Sequence, residues 1–329
     1  MYAFAHVEAA AVLRPPSPAD RALIDIGQRL RAVNYRFTAV TPETHRRVLA
    51  RPASPSGADL RDVFGWNRPF YQGDVASVIV DRLDEAGALR AEGEQLVSSI
   101  RYATCGDLLL LHSGYPTTES DAVFLGPDTY RFLQAIDETV GAMPSPRRVA
   151  DIGTGSGAAA LMLGQRFPDA RVFAADINDR ALRVTALNAL LNGITNVLPV
   201  KSDVMANLTG QLDLIVANPP YLVDPAERQY RHGGGMLGAD LSLRILREGV
   251  GRLSPRGRLV LYTGAAIVDG VDAFRAAADA ALAGTPWRIL GYREIDPDVF
   301  GEELDQPAYA AAERIAVVGL VAGPHASLL

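Results

Sequence analysis

Cysteine is almost absent from this chain of 329 residues, Cys105 being the only one. An internal disulfide and a cysteine-built metal site are thereby excluded. No His, Asp and Glu spacing suggests a metal site either. Lysine is as scarce: Lys201 stands alone among 32 basic residues, set against 38 acidic ones for a formal net charge of −6. Proteins that live on duplex phosphate ordinarily carry a basic surface, so this balance argues against that habit but not against a local basic cleft. No apolar run approaches the ~20 residues that cross a bilayer. Met1 to Val12 carries His6 and Glu8 and has no basic segment before its apolar stretch, so it does not read as a signal peptide. The expectation is a cytoplasmic protein with no membrane partner.

Apolar residues make up 48% and charged residues 21%, a globular balance with material for a sizeable core. At roughly 100–200 residues per domain the length suggests two domains. Ala19 to Val33 shows helical spacing, with Leu23, Ile26, Leu30 and Val33 on one face. A second short helix follows Thr41-Pro42-Glu43, where Thr caps and Pro suits the first helical position. Asp74 to Ala86 reads as a helix. Gln95 to Tyr102 and Asp107 to His112 read as strands turning at Cys105-Gly106. Residues 1–121 are therefore expected to form a smaller α+β accessory domain with winged-helix-like order, and substrate recognition is the role expected of it.

From Ala122 the pattern changes. Tyr130 to Thr139 is helical, and short apolar strands then alternate with helices: Arg148–Ile152, Arg171–Ala175, Val197–Ser202, Leu212–Ala217 and Arg258–Tyr262. That alternation implies a doubly wound, mostly parallel α/β sheet over residues 122–329. Trp287 to Glu294 and Arg314 to Ala322 lack a crossover helix between them, so they should pair antiparallel.

The first of these strands runs into Asp151-Ile152-Gly153-Thr154-Gly155-Ser156-Gly157. Glycines there permit a tight turn and close approach of backbone to a ligand. A dinucleotide loop is spaced G-x-G-x-x-G, whereas this one reads D-x-G-x-G-x-G, which disfavours an NAD-dependent oxidoreductase. Acids close the next two strands, Asp176 and Asp203; each alone reads equally well as a turn or cap.

The fourth strand of the series ends in Asn218-Pro219-Pro220-Tyr221. In an open α/β sheet ligands bind at the carboxyl ends of strands. The prolines fix backbone angles and carry no N–H. The Asn218 side-chain carbonyl and the Pro219 backbone carbonyl are left as neighbouring acceptors, suited to one planar NH₂ group. Tyr221 can stack on that group. Holding both hydrogens turns the nitrogen lone pair out of conjugation and aims it for in-line displacement. Positioning alone can supply ~7–11 kcal/mol, with no dedicated general base. A rigid surface turn is the bland alternative.

The loop and strand-end acids resemble the class I S-adenosyl-L-methionine (SAM) methyltransferases, with a Rossmann-like seven-stranded sheet of order 3-2-1-4-5-7-6. By that resemblance Gly153, Thr154, Gly155 and Gly157 lie against the methionine part of SAM. Asp151 holds the amino group, Asp176 and Ile177 take the ribose side, and Asp203 and Val204 the adenine. The tetrad narrows the resemblance to amino-methylating enzymes, both the HemK-like release-factor glutamine methyltransferases and the adenine or guanine enzymes. Pro127-Asp128-Thr129 resembles the HemK-like helix opening near the cofactor, placing Thr129 at the SAM site, though the usual preceding Arg-Pro is replaced by Leu125-Gly126. Gly234-Gly235 and the following helix resemble the segment after that family's tetrad. The likeness covers Ala122 to Ala322.

The resemblance implies methylation of a protein glutamine amide, on a release factor or similar partner, with Asn218, Pro219, Pro220 and Tyr221 catalytic and Asn218 also beside SAM. The second reading is an exocyclic base amine in rRNA, tRNA or DNA, and the third a small molecule. A non-catalytic SAM-binding regulatory module is the alternative of another class. His232-Gly233-Gly234-Gly235 echoes an esterase oxyanion loop, but no G-x-S-x-G elbow accompanies it; Tyr230 to Gly238 reads as a lid or an ordinary loop. The acids at Asp296, Asp298, Glu302, Glu303 and Asp305 read as a solvated loop, with a rim of the substrate mouth or a cation site as alternatives, and Trp66 to Phe70 as packing, with a stacking surface for a base as the alternative.

Overall fold

The computed structural model describes residues 15–52, 56–141, 143–224, 228 and 230–325. The Met1 to Val12 reading lies outside them. Among the described residues no helix is long and apolar enough to cross a membrane.

The N-terminal region opens with α1 (Pro18–Ala32), closed at its start by a capping box between Ser17 and Asp20. Thr41 caps α2 (Pro42–Leu49) by accepting from the Thr44 N–H at 3.2 Å. Two elements unforeseen from periodicity follow: α3 (Leu60–Phe64) and, after α4 (Ser77–Glu85), the strand β1 (Leu89–Glu92). The first is shorter than two turns, and the second is mostly exposed, so neither leaves an apolar rhythm. The single expected run from Gln95 to Tyr102 is broken. β2 (Gln95–Ser98) pairs with β1, and β3 (Ile100–Cys105) pairs with β4 (Leu108–Ser113). The Ser98 hydroxyl causes the break: it accepts from the Ile100 N–H at 3.2 Å and donates to the Ile100 carbonyl at 2.8 Å, replacing ladder bonds locally.

The large sheet is built from β5 (Arg148–Ile152), β6 (Arg171–Asp176), β7 (Val197–Lys201), β8 (Leu212–Ala217), β9 (Leu253–Val268), β11 (Trp287–Asp296) and β12 (Arg314–Pro324). Its order is β11-β12-β9-β8-β5-β6-β7, with the two-residue β10 (Val271–Asp272) against β9. This is the expected 3-2-1-4-5-7-6 arrangement, and β12 runs antiparallel to both its neighbours. β9 far outruns the expected Arg258–Tyr262 because β12 accompanies it, from Leu259↔Ala322 to Ile267↔Arg314. Leu214, Ile215, Val216 and Ala217 of β8 are fully buried, as a central parallel strand covered on both faces requires. Flanking helices include α5 (Pro127–Val140), α6 (Ala158–Arg166), α7 (Asp179–Asn192), the one-turn α8 (Gly235–Gly238), α9 (Asp240–Val250) and α10 (Ala273–Leu282).

The N-terminal region is joined to the sheet by core packing, since Leu23, Ile26 and Leu30 share a buried cluster with Leu161, Leu187 and Leu191. Polar chemistry fixes the register. Asn188 and Asn192, one helical turn apart on α7, treat β4 as a neighbouring strand would. The Asn188 carboxamide accepts from the Leu111 N–H at 2.8 Å and donates to the Leu111 and Ser156 carbonyls at 3.0 and 2.9 Å. Asn192 accepts from the Leu109 N–H at 3.1 Å and donates to its carbonyl at 2.9 Å. The edge of β4 is thus satisfied by side chains, which spares buried backbone groups from going unpaired.

Asn188→Leu removes three buried bonds of one side chain and leaves their backbone partners unpaired. Equilibrium urea unfolding should show a loss of about 3 kcal/mol; a loss under about 0.5 kcal/mol would contradict the role given to this carboxamide.

Candidate active site

The carboxyl ends of β5, β6 and β8 open into one cavity of about 510 Å³. Its floor is the glycine loop between β5 and α6. Gly153, Gly155 and Gly157 all have left-handed φ, at 72°, 55° and 81°. A Cβ at Gly157 would strike Thr185 at 2.8 Å, whereas one at Gly153 would meet nothing within 4 Å. The first contact shows why the loop must hug α7. The open space above Gly153 shows that bare backbone faces the cavity, as a closely approaching ligand needs.

Two carboxylates hold this loop. Asp151 is 2% exposed; its Oδ2 accepts from the Thr154 hydroxyl at 2.7 Å and the Ala160 N–H at 3.1 Å. Its Oδ1 takes no bond among the described residues and belongs to a residue lining the cavity. Burial pushes this carboxyl up to about 6, against the lowering effect of its two donors. Asp176 accepts from the Gly155 N–H at 3.0 Å and, through its other oxygen, from the Asn178 N–H at 2.9 Å. Burial raises it too. Each Asp176 oxygen keeps a second lone pair, which suits a vicinal diol; the Asp151 Oδ1 suits an ammonium group. The donor set therefore fits SAM. Ile177, half exposed, and Val204, held at φ 48°, line the same cavity. So does Thr129, in the first turn of α5. Asp203 also lines it, but its mostly exposed carboxylate forms a two-pronged pair with Arg244 at 2.8 and 2.9 Å.

β8 delivers Asn218, Pro219, Pro220 and Tyr221 to the cavity wall. The Asn218 carboxamide has no hydrogen-bond partner among the described residues. Tyr221 is fixed from below. Its ring lies on Gly264, where a Cβ would come within 2.4 Å, and its hydroxyl donates to Asp128 at 2.6 Å. The Tyr262 hydroxyl donates to the other Asp128 oxygen at 3.1 Å. Arg131 bridges Asp128 at 3.5 Å to Asp296 at 2.8 Å. Burial raises both tyrosines, so their protons stay in place as donors. Tyr262 and Arg131 carry no motif and were not foreseen from sequence.

The segment around Tyr230 to Gly238 is stitched down. Arg228 pairs with buried Asp224 at 2.6 Å, which holds that carboxyl down at about 2. Arg231 pairs with buried Glu303, and the Tyr230 hydroxyl donates to the Thr117 carbonyl at 2.7 Å. Gly233 is wedged so tightly that a Cβ would fall 2.0 Å from the Gly238 carbonyl oxygen. Asp296 and Glu303, read from sequence as part of a solvated acidic loop, are thus partners of arginines. Trp66 to Phe70 packs as expected: Phe70 is fully buried and the Trp66 ring meets Phe37 edge-on at 5.0 Å. The far wall of the cavity comes from the N-terminal region, including His45, Arg101 and Tyr115. These also escaped the sequence reading, although Arg101 is a lone charge inside an apolar strand.

The sequence model of the Methyltransferase small domain family matches residues 129–265. A release factor glutamine methyltransferase of Deinococcus radiodurans is 34% identical over 197 residues, 57% of this chain and 66% of that one. Another, of Moorella thermoacetica, is 34% identical over 198 residues, 56% of this chain and 66% of that one. A tRNA1(Val) (adenine(37)-N6)-methyltransferase of Aeromonas hydrophila is 38% identical over 133 residues, 38% of this chain and 55% of that one. The chain thus spans about two thirds or less of these relatives' lengths. The resemblance to HemK-like class I SAM methyltransferases is borne out by these matches, and the fold by the sheet order.

The raised Asp151 carboxyl sets a pH dependence. Its protonated form stabilises the fold fully below about 3.8, the ordinary value of an aspartate, and that contribution is lost as pH rises through about 6. Without ligand, the stability of Asp151→Asn relative to the unchanged protein should therefore rise between pH 4 and pH 8, by up to about 3 kcal/mol. Denaturant titration at the two pH values checks this; a difference independent of pH would refute the assignment.

Proposed function

We propose that this chain, whose residues 129–265 match the Methyltransferase small domain family, is a SAM-dependent N-methyltransferase acting on a planar NH₂ group, with a protein glutamine amide as acceptor. The observation that carries the reading is the free Asn218 carboxamide. It follows a central strand, precedes two prolines, and shares one cavity with the glycine loop and its carboxylates. A structural asparagine at a strand end would be expected to spend its carboxamide on nearby backbone. The names of the Deinococcus radiodurans and Moorella thermoacetica relatives support the glutamine acceptor.

SAM, when bound, supplies a methyl group on a sulfonium. The chain's own residues supply geometry. Gly153 backbone, Asp151 Oδ1 and Asp176 hold the donor against the loop. The Asn218 side-chain carbonyl and the Pro219 carbonyl accept the two hydrogens of the acceptor NH₂. Neither proline offers an N–H that would compete as a donor. Held this way, the nitrogen would present its lone pair to the methyl group that SAM would supply, and the proton it then gives up would pass to water. Tyr221, braced by Asp128 and Gly264, fixes the wall against which the planar group lies. Domain roles follow: the sheet region performs transfer, and the N-terminal region shapes the acceptor side of the cavity.

Asn218→Ala should lower kcat by about 100-fold, the size of effect that loss of positioning produces, while SAM affinity measured by calorimetry stays within about twofold. Retained turnover would sink the mechanism. Loss of SAM binding in step with turnover would reassign Asn218 to cofactor binding alone.

A further inference from the structure

The wall of the cavity built by the N-terminal region holds an uncompensated cation. Arg101 on β3 is 3% exposed. Its Nε donates to the Ser113 carbonyl at 3.0 Å, and its Nη1 stands 3.5 Å from His45 Nδ1. Among the described residues Nη2 has no partner, and no carboxylate pairs with this guanidinium. Its electrostatic neighbours are the phenols of Tyr35, Tyr115 and Tyr130. Burial without a counter-ion brings it down to about 10.

The surroundings are arranged for a negative group. His45 Nε2 donates to the Trp66 carbonyl at 2.7 Å, leaving Nδ1 as a neutral acceptor, and burial beside Arg101 holds the ring down at about 4. Its ring stacks on Tyr115 at 4.0 Å, making a flat wall beside the guanidinium. His112, directly across the ladder from Arg101, has both ring nitrogens buried without a hydrogen-bond partner among the described residues. A buried charge left unpaired costs several kcal/mol, and a built site for an oxyanion is the arrangement that recovers it on binding. Arg228 and Arg231, the other arginines of the cavity wall, are already paired with Asp224 and Glu303. One uncompensated charge matches one carboxylate; a nucleic acid strand wants several free cations along its backbone.

We propose that Arg101 receives a carboxylate of the methyl acceptor, so that the acceptor spans the cavity with its NH₂ at Asn218 and its carboxylate at the N-terminal wall. This rests on the methylation reading but is read out without turnover. Acetate is the probe, with inorganic phosphate as comparison, each against chloride at matched ionic strength and pH 7.

Acetate should raise the melting temperature saturably in the unchanged protein and equally in Asn218→Ala. In Arg101→Met the acetate response should weaken about tenfold or more, the loss expected for a hydrogen bond to a charged group. Arg101→Lys keeps the buried positive charge if the methionine variant does not fold. It should also bind acetate more weakly, because the planar fork is lost. On the unchanged protein, acetate should shift the Arg101 Nε–H resonance, assigned by its disappearance in Arg101→Lys. No saturable acetate effect, or an undiminished one in both Arg101 variants, overturns the proposal. A phosphate response stronger than the acetate response overturns the carboxylate in favour of a nucleic acid phosphate. Full turnover in Asn218→Ala would defeat the methylation reading and leave the acetate result standing on its own.

Discussion

Two buried carboxylates hold the glycine loop, and the candidate site depends on them. Asp151 ties the end of β5 to the first turn of α6 through Thr154 and Ala160. Asp176 ties the end of β6 to the same loop through Gly155. A loop of left-handed glycines has high conformational entropy when free. Anchored from two strands, it presents Gly153 backbone and Asp151 Oδ1 in one direction. The cost is the burial of two negative groups side by side, visible in their raised titration. A cationic ligand that approaches this pair relieves that cost, so the arrangement favours a ligand's amino group.

The far wall of the cavity depends on a second constraint, the docking of β4 onto α7. Asn188 and Asn192 replace a missing strand with two carboxamides. Through β3 this fixes Arg101 and, just after β4, Tyr115, which stacks on His45 of α2, around one cavity with the tetrad. The braced Tyr221 and the pinned segment between Arg228 and Gly238 complete the enclosure. The enclosure resembles a preorganised site, in which orientation rather than acid–base chemistry lowers the barrier.

Much of this was legible in the chain. Asp151 to Gly157 and Asn218 to Tyr221 stood out by their spacing, and the structure brings both to one cavity. The mostly parallel α/β sheet followed from strands alternating with helices, and its strand order from the family resemblance. What escaped depends on long-range pairing. β9 is long because β12 runs beside it. Asp128 was read as part of a helix opening, yet its partner Tyr221 lies 93 positions away. The acids at Asp296 and Glu303 looked solvated until Arg131 and Arg231 met them. Arg101 draws its significance from the lack of such a partner among the described residues, a property no local pattern encodes.

The central claim is that a protein amide nitrogen is the acceptor. Its most direct test is transfer from methyl-labelled SAM, by the purified protein, into lysate of the source organism with and without nuclease. Label should survive nuclease, run with a protein band, and map by mass to a methylated glutamine side chain. Label that vanishes with nuclease, or maps to a base amine, would contradict it.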